Sequence, residues 1–108
     1  MAKKSDIRAV REIVKKYLFL LQKLNVSFDD VYIYGSYARG NPHKDSDIDI
    51  AIIARDWGPD IFDAQLYLMK IAERIDSRIE PRPIRKSDLR DPDPFIEEII
   101  RTGKIVKI

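Results

Sequence analysis

Two carboxylates one residue apart, Asp47 and Asp49, stand at the head of the apolar run Ile48-Asp49-Ile50-Ala51-Ile52-Ile53. Alternate side chains of a strand share a face, so the two acids point the same way while the intervening isoleucines demand burial. Like charges held together in this way repel unless a cation lies between them. Upstream, Gly35-Ser36 closes another apolar stretch, Val31-Tyr32-Ile33-Tyr34. Glycine lets backbone amides come close to an anion, and the serine hydroxyl adds a further donor. Alone, a Gly-Ser pair after a strand reads as a tight turn, and Ser46-Asp47 reads as the end of a loop. Together at this spacing they combine metal-site chemistry with phosphate-site chemistry.

Glu80 adds a third acid, in the middle of Arg78-Ile79-Glu80-Pro81-Arg82-Pro83-Ile84, where a buried strand has no use for one. If that strand neighbours the one carrying Asp47 and Asp49, Glu80 lies about 5 Å across from them. Unit charges about 5 Å apart repel by roughly 3 kcal/mol at an effective dielectric near 20. Carboxylate oxygens without thiolate or histidine select Mg²⁺, with Mn²⁺ as the alternative, and form the ligand set of a two-metal phosphoryl-transfer site. Asp76 competes for the third place but falls at an expected helix end. Arg39, one turn beyond Ser36, is within reach of a phosphate and reads equally as a solvated surface arginine. Arg78 and Arg82 share Glu80's face and are read as salt-bridging residues, with neutralising the site or touching substrate as the alternatives. His43 reads as a loop histidine. Tyr37 is left between base stacking and the core, and Trp57 between loop packing and an interface.

These residues need a sheet to hold them. A helix capped by Ser5 or Asp6 and running to about Leu24 is expected from Ile7, Val10, Val14, Tyr17, Leu18 and Leu21. Strands follow over 31–34 and 47–54, separated by one helical turn, Ser36 to Arg39, that Gly40 closes. Asp60 is expected to cap a second long helix with Phe62, Leu66, Met69, Ile71, Ala72 and Ile75 as its apolar side. The strand over 77–84 contains two prolines and so belongs at a sheet edge or at a strand end. Ser87 to Pro92 reads as a loop. Asp93-Pro94 opens a last helix with Phe95, Ile96, Ile99 and Ile100 inward and Gly103 at its end, before a short strand over 104–108. The order predicts an α/β (or α+β) fold, a small mixed β-sheet flanked by helices.

The totals narrow the classes. With 108 residues the chain is expected to form one domain, 1–108, with a single modest core. Hydrophobic residues at 44% and charged residues at 35% describe a well-solvated globular chain. A net charge of +2 does not argue for direct nucleic-acid binding. No cysteine is present, which removes disulfides, thiolate zinc sites and cysteine nucleophiles. With no signal-peptide core and no membrane-length apolar run, a soluble cytoplasmic protein is expected.

The two-part signature Gly35-Ser36-x-x-x-Gly40 and Ser46-Asp47-x-Asp49 resembles that of the DNA polymerase β-type nucleotidyltransferase superfamily. The length and the segment from Phe95 to Ile108 resemble its smallest branch, the minimal nucleotidyltransferase (MNT) proteins. The resemblance covers Val31 to the C-terminus. It implies a polymerase β-like nucleotidyltransferase fold in which Gly35 and Ser36 hold the β- and γ-phosphates of ATP or another nucleoside triphosphate. It further implies that Asp47 and Asp49 ligate two Mg²⁺ ions, with Glu80 on the one that activates the incoming hydroxyl. No residues remain for an acceptor-binding domain, so the acceptor pocket is expected from a partner chain or a second copy. For MNT proteins the resemblance implies a helical HEPN partner, with the MNT member acting as antitoxin and in some cases transferring AMP onto the toxin. The competing readings are a non-catalytic antitoxin that occludes its partner, a small-molecule nucleotidyltransferase and a nucleic-acid binder.

Overall fold

The computed structural model of the chain describes residues 2–42 and 46–107, with side chains from residue 7 onward. His43 and Ile108 lie outside the described residues. The elements are α1 (Ala2–Lys23), β1 (Asp30–Tyr34), α2 (Ser36–Arg39), β2 (Ile48–Ala54), α3 (Ile61–Ala72), β3 (Ile79–Arg85), a 3-10 turn (Lys86–Leu89), α4 (Pro94–Thr102) and β4 (Lys104–Ile105). This is the expected order, with the 3-10 turn overlapping the start of the segment read as loop. Helix α1 begins at Ala2, three residues ahead of the cap assigned to Ser5. The side chains of Ser5 and Asp6 are outside the description.

The four strands form one mixed sheet in the order β3-β2-β1-β4. β1 runs antiparallel to β2 and β4, whereas β2 and β3 are parallel. A parallel pair needs a crossover, and α3 supplies it. Period-two alternation divides the sheet between two cores. Val31, Ile33, Ile48, Ile50, Ile52 and Ile79 pack with Val10, Val14, Tyr17, Leu18 and Leu21 of α1 and with Leu68, Ile71 and Ala72 of α3. The other face sets Ala51, Ile53 and Ile84 against Ile96 and Ile99 of α4. Inside the first core the Tyr17 hydroxyl donates to the Leu68 carbonyl at 2.8 Å, joining α1 to α3.

Helix α3 bears out Ile71 and Ala72 of the expected apolar side and corrects Phe62, Leu66 and Met69. Asp60 caps it through Phe62 N–H at 2.9 Å, as expected. Leu68, Ile71 and Ala72 are buried, but Phe62, Leu66 and Met69 are 72%, 62% and 39% exposed. The helix carries two apolar stripes, and the one containing Leu68, Ile71 and Ala72 is the one that meets the sheet and Tyr17. In α4, Asp93 caps through Ile96 N–H at 2.8 Å and Pro94 opens the helix. Ile96 and Ile99 are buried, whereas Phe95 and Ile100 stay on the surface.

β3 is an edge strand, as its prolines require. Ile48 N–H donates to the Arg78 carbonyl at 2.8 Å, which sets the parallel alternation so that Glu80, Arg82 and Ile84 turn their amides toward β2. Pro81 and Pro83 therefore occupy outward positions, where an edge would otherwise present free N–H groups. Gln65 of α3 donates its side-chain amide to the outward Pro81 carbonyl at 3.3 Å. Trp57 belongs to the loop after β2, packs half-buried against the first core and donates to the Ile84 carbonyl at 3.0 Å. No helix among the described residues is long and apolar enough to cross a membrane.

Candidate nucleotide and metal site

The site is built at the meeting of β1, α2 and β2. β1 ends at Tyr34, and Gly35 turns the chain with φ 77° and ψ −150°, a combination that is essentially glycine's alone. A Cβ at this position would collide with the Asp49 carboxylate. Glycine is therefore required by its backbone angles, and a side chain here would also displace the Asp49 carboxylate. Ser36 starts α2, and Gly40 ends it in the left-handed conformation with φ 80°. Tyr37 faces inward at 6% exposure and accepts from Arg78 at 3.4 Å, so it is a core residue.

Asp47 precedes β2 and Asp49 lies within it, on the face that carries α4. In register with Asp49 are Tyr34 on one side and Glu80 on the other, so Tyr34, Asp49 and Glu80 form a row across three strands. The expectation that Glu80 neighbours the aspartate strand matches this register. Burial, then the charges of Asp47 and Glu80, push the Asp49 carboxyl above its usual range, while Arg39 and Arg82 pull it partly back. Tyr34 is likewise raised by burial, and a hydrogen bond with Arg82 opposes the shift.

A cavity of about 500 Å³ opens in front of these groups. Gly35, Ser36, Arg39, Asn41, Ser46, Asp47 and Asp49 line it, together with Tyr34 of β1 and Phe95, Glu98, Ile99 and Thr102 of α4. The structure thus brings together five of the six residues singled out from the sequence. Glu80 stays exposed outside this lining, and among the described residues no group of three His, Cys, Asp or Glu side chains is placed to hold a metal ion. Asp76 is committed elsewhere: Arg78 Nη2 meets its Oδ2 at 3.0 Å and Arg78 Nε its Oδ1 at 3.1 Å, which holds the carboxyl below its usual range. Arg78 is therefore an ion-pairing residue, with Asp76 as its partner.

The donor chemistry fits a divalent cation. Asp47 and Asp49 offer hard oxygens side by side, and burial, followed by the neighbouring acids Asp47 and Glu80, holds the Asp49 carboxyl above its usual range. Two carboxylates suffice for Mg²⁺ when substrate phosphates and water complete its shell. The wall contributed by α4 was missed at the sequence level. Sequence periodicity places Phe95 and Ile99 in the core and Tyr34 at the end of the first strand, and it marks neither Glu98 nor Thr102; the α4 residues share only the helical spacing of 95, 98, 99 and 102.

Residues 10–108 match the family described as Polymerase beta, Nucleotidyltransferase. Among curated proteins, the chain is 37% identical over 75 residues to the protein adenylyltransferase MntA of Shewanella oneidensis, covering 68% of this chain. It spans about half (50%) of that relative's length. Among solved structures, a toxin-antitoxin with AMP-PNP superposes with a TM-score of 0.61 at 28% identity, over 85% of this chain and 71% of that one. A mutant of the toxin-antitoxin MntA-HpeT gives 0.61 at 27% identity, over 86% and 71%. A structure from Sulfolobus solfataricus gives 0.69 over 97% and 86%, and its 17% identity speaks for the fold alone.

Proposed function

The chain belongs to the polymerase beta nucleotidyltransferase family, and from that membership we propose that it transfers a nucleoside monophosphate, AMP from ATP, to a hydroxyl of a partner protein with release of pyrophosphate. The observation that carries the reading is the Gly35–Asp49 approach, which sets an anion-binding turn directly against a carboxylate pair. The relative named as a protein adenylyltransferase and the superposing toxin-antitoxin structures support a protein acceptor, a HEPN-type toxin, and an antitoxin role.

The residues divide the work by position. The backbone around Gly35 and the Ser36 hydroxyl bind the β- and γ-phosphates, and Arg39 neutralises part of their charge. Asp47 and Asp49 would hold Mg²⁺ against the triphosphate. Bound there, Mg²⁺ supplies charge neutralisation on the leaving pyrophosphate and a lowered pKa for the attacking hydroxyl. An in-line displacement sets the acceptor opposite the leaving group, on the far side of Asp49 from Gly35. That side is the β3 edge, where Glu80 sits in register with Asp49. Glu80 is accordingly assigned to the acceptor side, orienting the hydroxyl and receiving its proton.

The test incubates the protein with Mg²⁺, each α-phosphate-labelled nucleoside triphosphate, and the product of the adjacent gene. Label is expected on that protein from ATP, and Asp49→Asn is expected to abolish it while remaining folded. No labelled product from any nucleotide would overturn the proposal. Equal protection of toxin-expressing cells by wild type and by Asp47→Asn/Asp49→Asn would favour occlusion instead.

A further inference from the structure

The phosphate-binding turn lines part of the large cavity, and a helix face lines another part. Phe95, Glu98, Ile99 and Thr102 are spaced i, i+3, i+4 and i+7, so α4 turns one continuous stripe into the cavity. Ile99, 1% exposed, belongs to the core beneath. Phe95 does not: it is the largest apolar side chain of the helix and remains 42% exposed.

Its ring is nevertheless tightly held. The Arg82 guanidinium carbon lies 4.9 Å from the ring centroid, on its face. Tyr34 meets the ring edge-on, with centroids 5.8 Å apart and planes at 84°. Phe95 borders both the large cavity and a smaller one of about 290 Å³ beside β3, whereas Arg82 borders only the smaller. The ring therefore stands as a partition, with a cation behind it and the nucleotide-sized cavity in front. Tyr34 is in register with Asp49, so this partition is anchored to the same row of the sheet as the carboxylates.

We infer that Phe95 is the platform on which the base of the bound nucleotide stacks. The inference rests on the nucleotide reading above and adds the base subsite to it. An aromatic face pinned by a cation–π contact and an edge contact is pre-organised, so little rotamer freedom is lost when a base lands on it. Stacking of a base on an aromatic side chain contributes roughly 5- to 150-fold in affinity. The polar groups beside it turn to their own helix: Thr102 donates to the Glu98 carbonyl at 2.7 Å, and the Glu98 carboxylate accepts from Arg101 at 2.8 Å. The platform thus recognises the face of a base rather than its edge. It favours purines over pyrimidines through their larger rings.

The experiment compares ligands with and without a base. Calorimetric affinities for AMP-PNP and for inorganic tripolyphosphate, both with Mg²⁺, are measured on wild type, Phe95→Leu and Phe95→Tyr. Phe95→Leu is expected to weaken AMP-PNP at least about fivefold while leaving tripolyphosphate within twofold, and Phe95→Tyr to retain both. Parallel loss of both ligands in Phe95→Leu would make Phe95 a structural support and overturn the inference. So would unchanged AMP-PNP affinity, or wild type binding the two ligands equally well. A wild type that binds neither ligand would instead overturn the nucleotide reading itself, and the base subsite with it.

Discussion

Replacing Asp49 by Asn should make the metal-free protein more stable, because the fold holds this carboxylate at a cost. Asp49 and Glu80 lie in register on adjacent strands, and adjacent strands run about 5 Å apart. At that separation two unit charges repel by roughly 3 kcal/mol at an effective dielectric of 20 and by about 1 kcal/mol in water. Glu80 is exposed and Asp49 only half-buried, so the lower figure applies. Asn preserves the shape and removes the repulsion along with the weaker attraction to Arg39 and Arg82. A gain approaching about 1 kcal/mol corresponds to a rise of about 4 °C in Tm for a domain of this size. The pH dependence has a defined sign. A carboxyl whose pKa is raised by folding leaves the native state with more bound protons than the unfolded chain, so wild type loses stability as pH climbs from about 4 through the raised value. Asp49→Asn should lack that decline. Scanning calorimetry in EDTA from pH 3 to 8 measures both, and a Mg²⁺ titration at neutral pH should then stabilise wild type alone. A variant that melts below wild type in EDTA at neutral pH would mean that Arg39 and Arg82 outweigh the two acids, and the argument for a missing cation would collapse.

Gly35→Ala should lower stability by on the order of 1–3 kcal/mol from its backbone angles alone, and the methyl colliding with Asp49 should also abolish tripolyphosphate binding, read by calorimetry. Asp76→Asn should leave nucleotide binding unchanged. Its ion pair with Arg78 depresses the Asp76 pKa, so the stability it lends is present at neutral pH and lost as pH falls through that depressed value; acid melts of the variant should lack this limb. Glu80→Gln should keep AMP-PNP affinity within twofold yet slow transfer at least about tenfold, and equal rates would remove Glu80 from the acceptor side. Tyr17→Phe should cost about 1 kcal/mol through the lost bond to the Leu68 carbonyl, measured by urea unfolding.

The parts of the site that were legible in the sequence are those where chemistry restricts residue choice. Gly35 had to be glycine, and Asp47 and Asp49 had to alternate with isoleucine; both constraints are local and survive without knowledge of the partners. The register of Glu80 followed from strand adjacency, one step further, and its distance from the cavity lining did not follow at all, because that depends on how α4 lies across the sheet. α3 illustrates the limit differently. Phe62, Leu66 and Met69 recur as regularly as Leu68, Ile71 and Ala72, and periodicity alone cannot say which stripe a helix buries. The choice is made by Tyr17 and the sheet, which are far away in sequence. Phe95 was invisible as a site residue for a related reason: an aromatic at the start of an amphipathic helix has the same spacing whether it fills a core or faces a ligand.

The prolines on the outward side of β3 bear on how a partner can be recognised. With Pro81 and Pro83 removing donors and Gln65 occupying the Pro81 carbonyl, this edge resists extension by an incoming strand. A protein that reaches Glu80 from that side has to be gripped by side chains. Main-chain pairing accepts nearly any extended segment, whereas side-chain contacts can be altered one residue at a time. For the proposed transfer to a partner's hydroxyl, that arrangement lets specificity change by point substitution while the sheet beneath stays fixed.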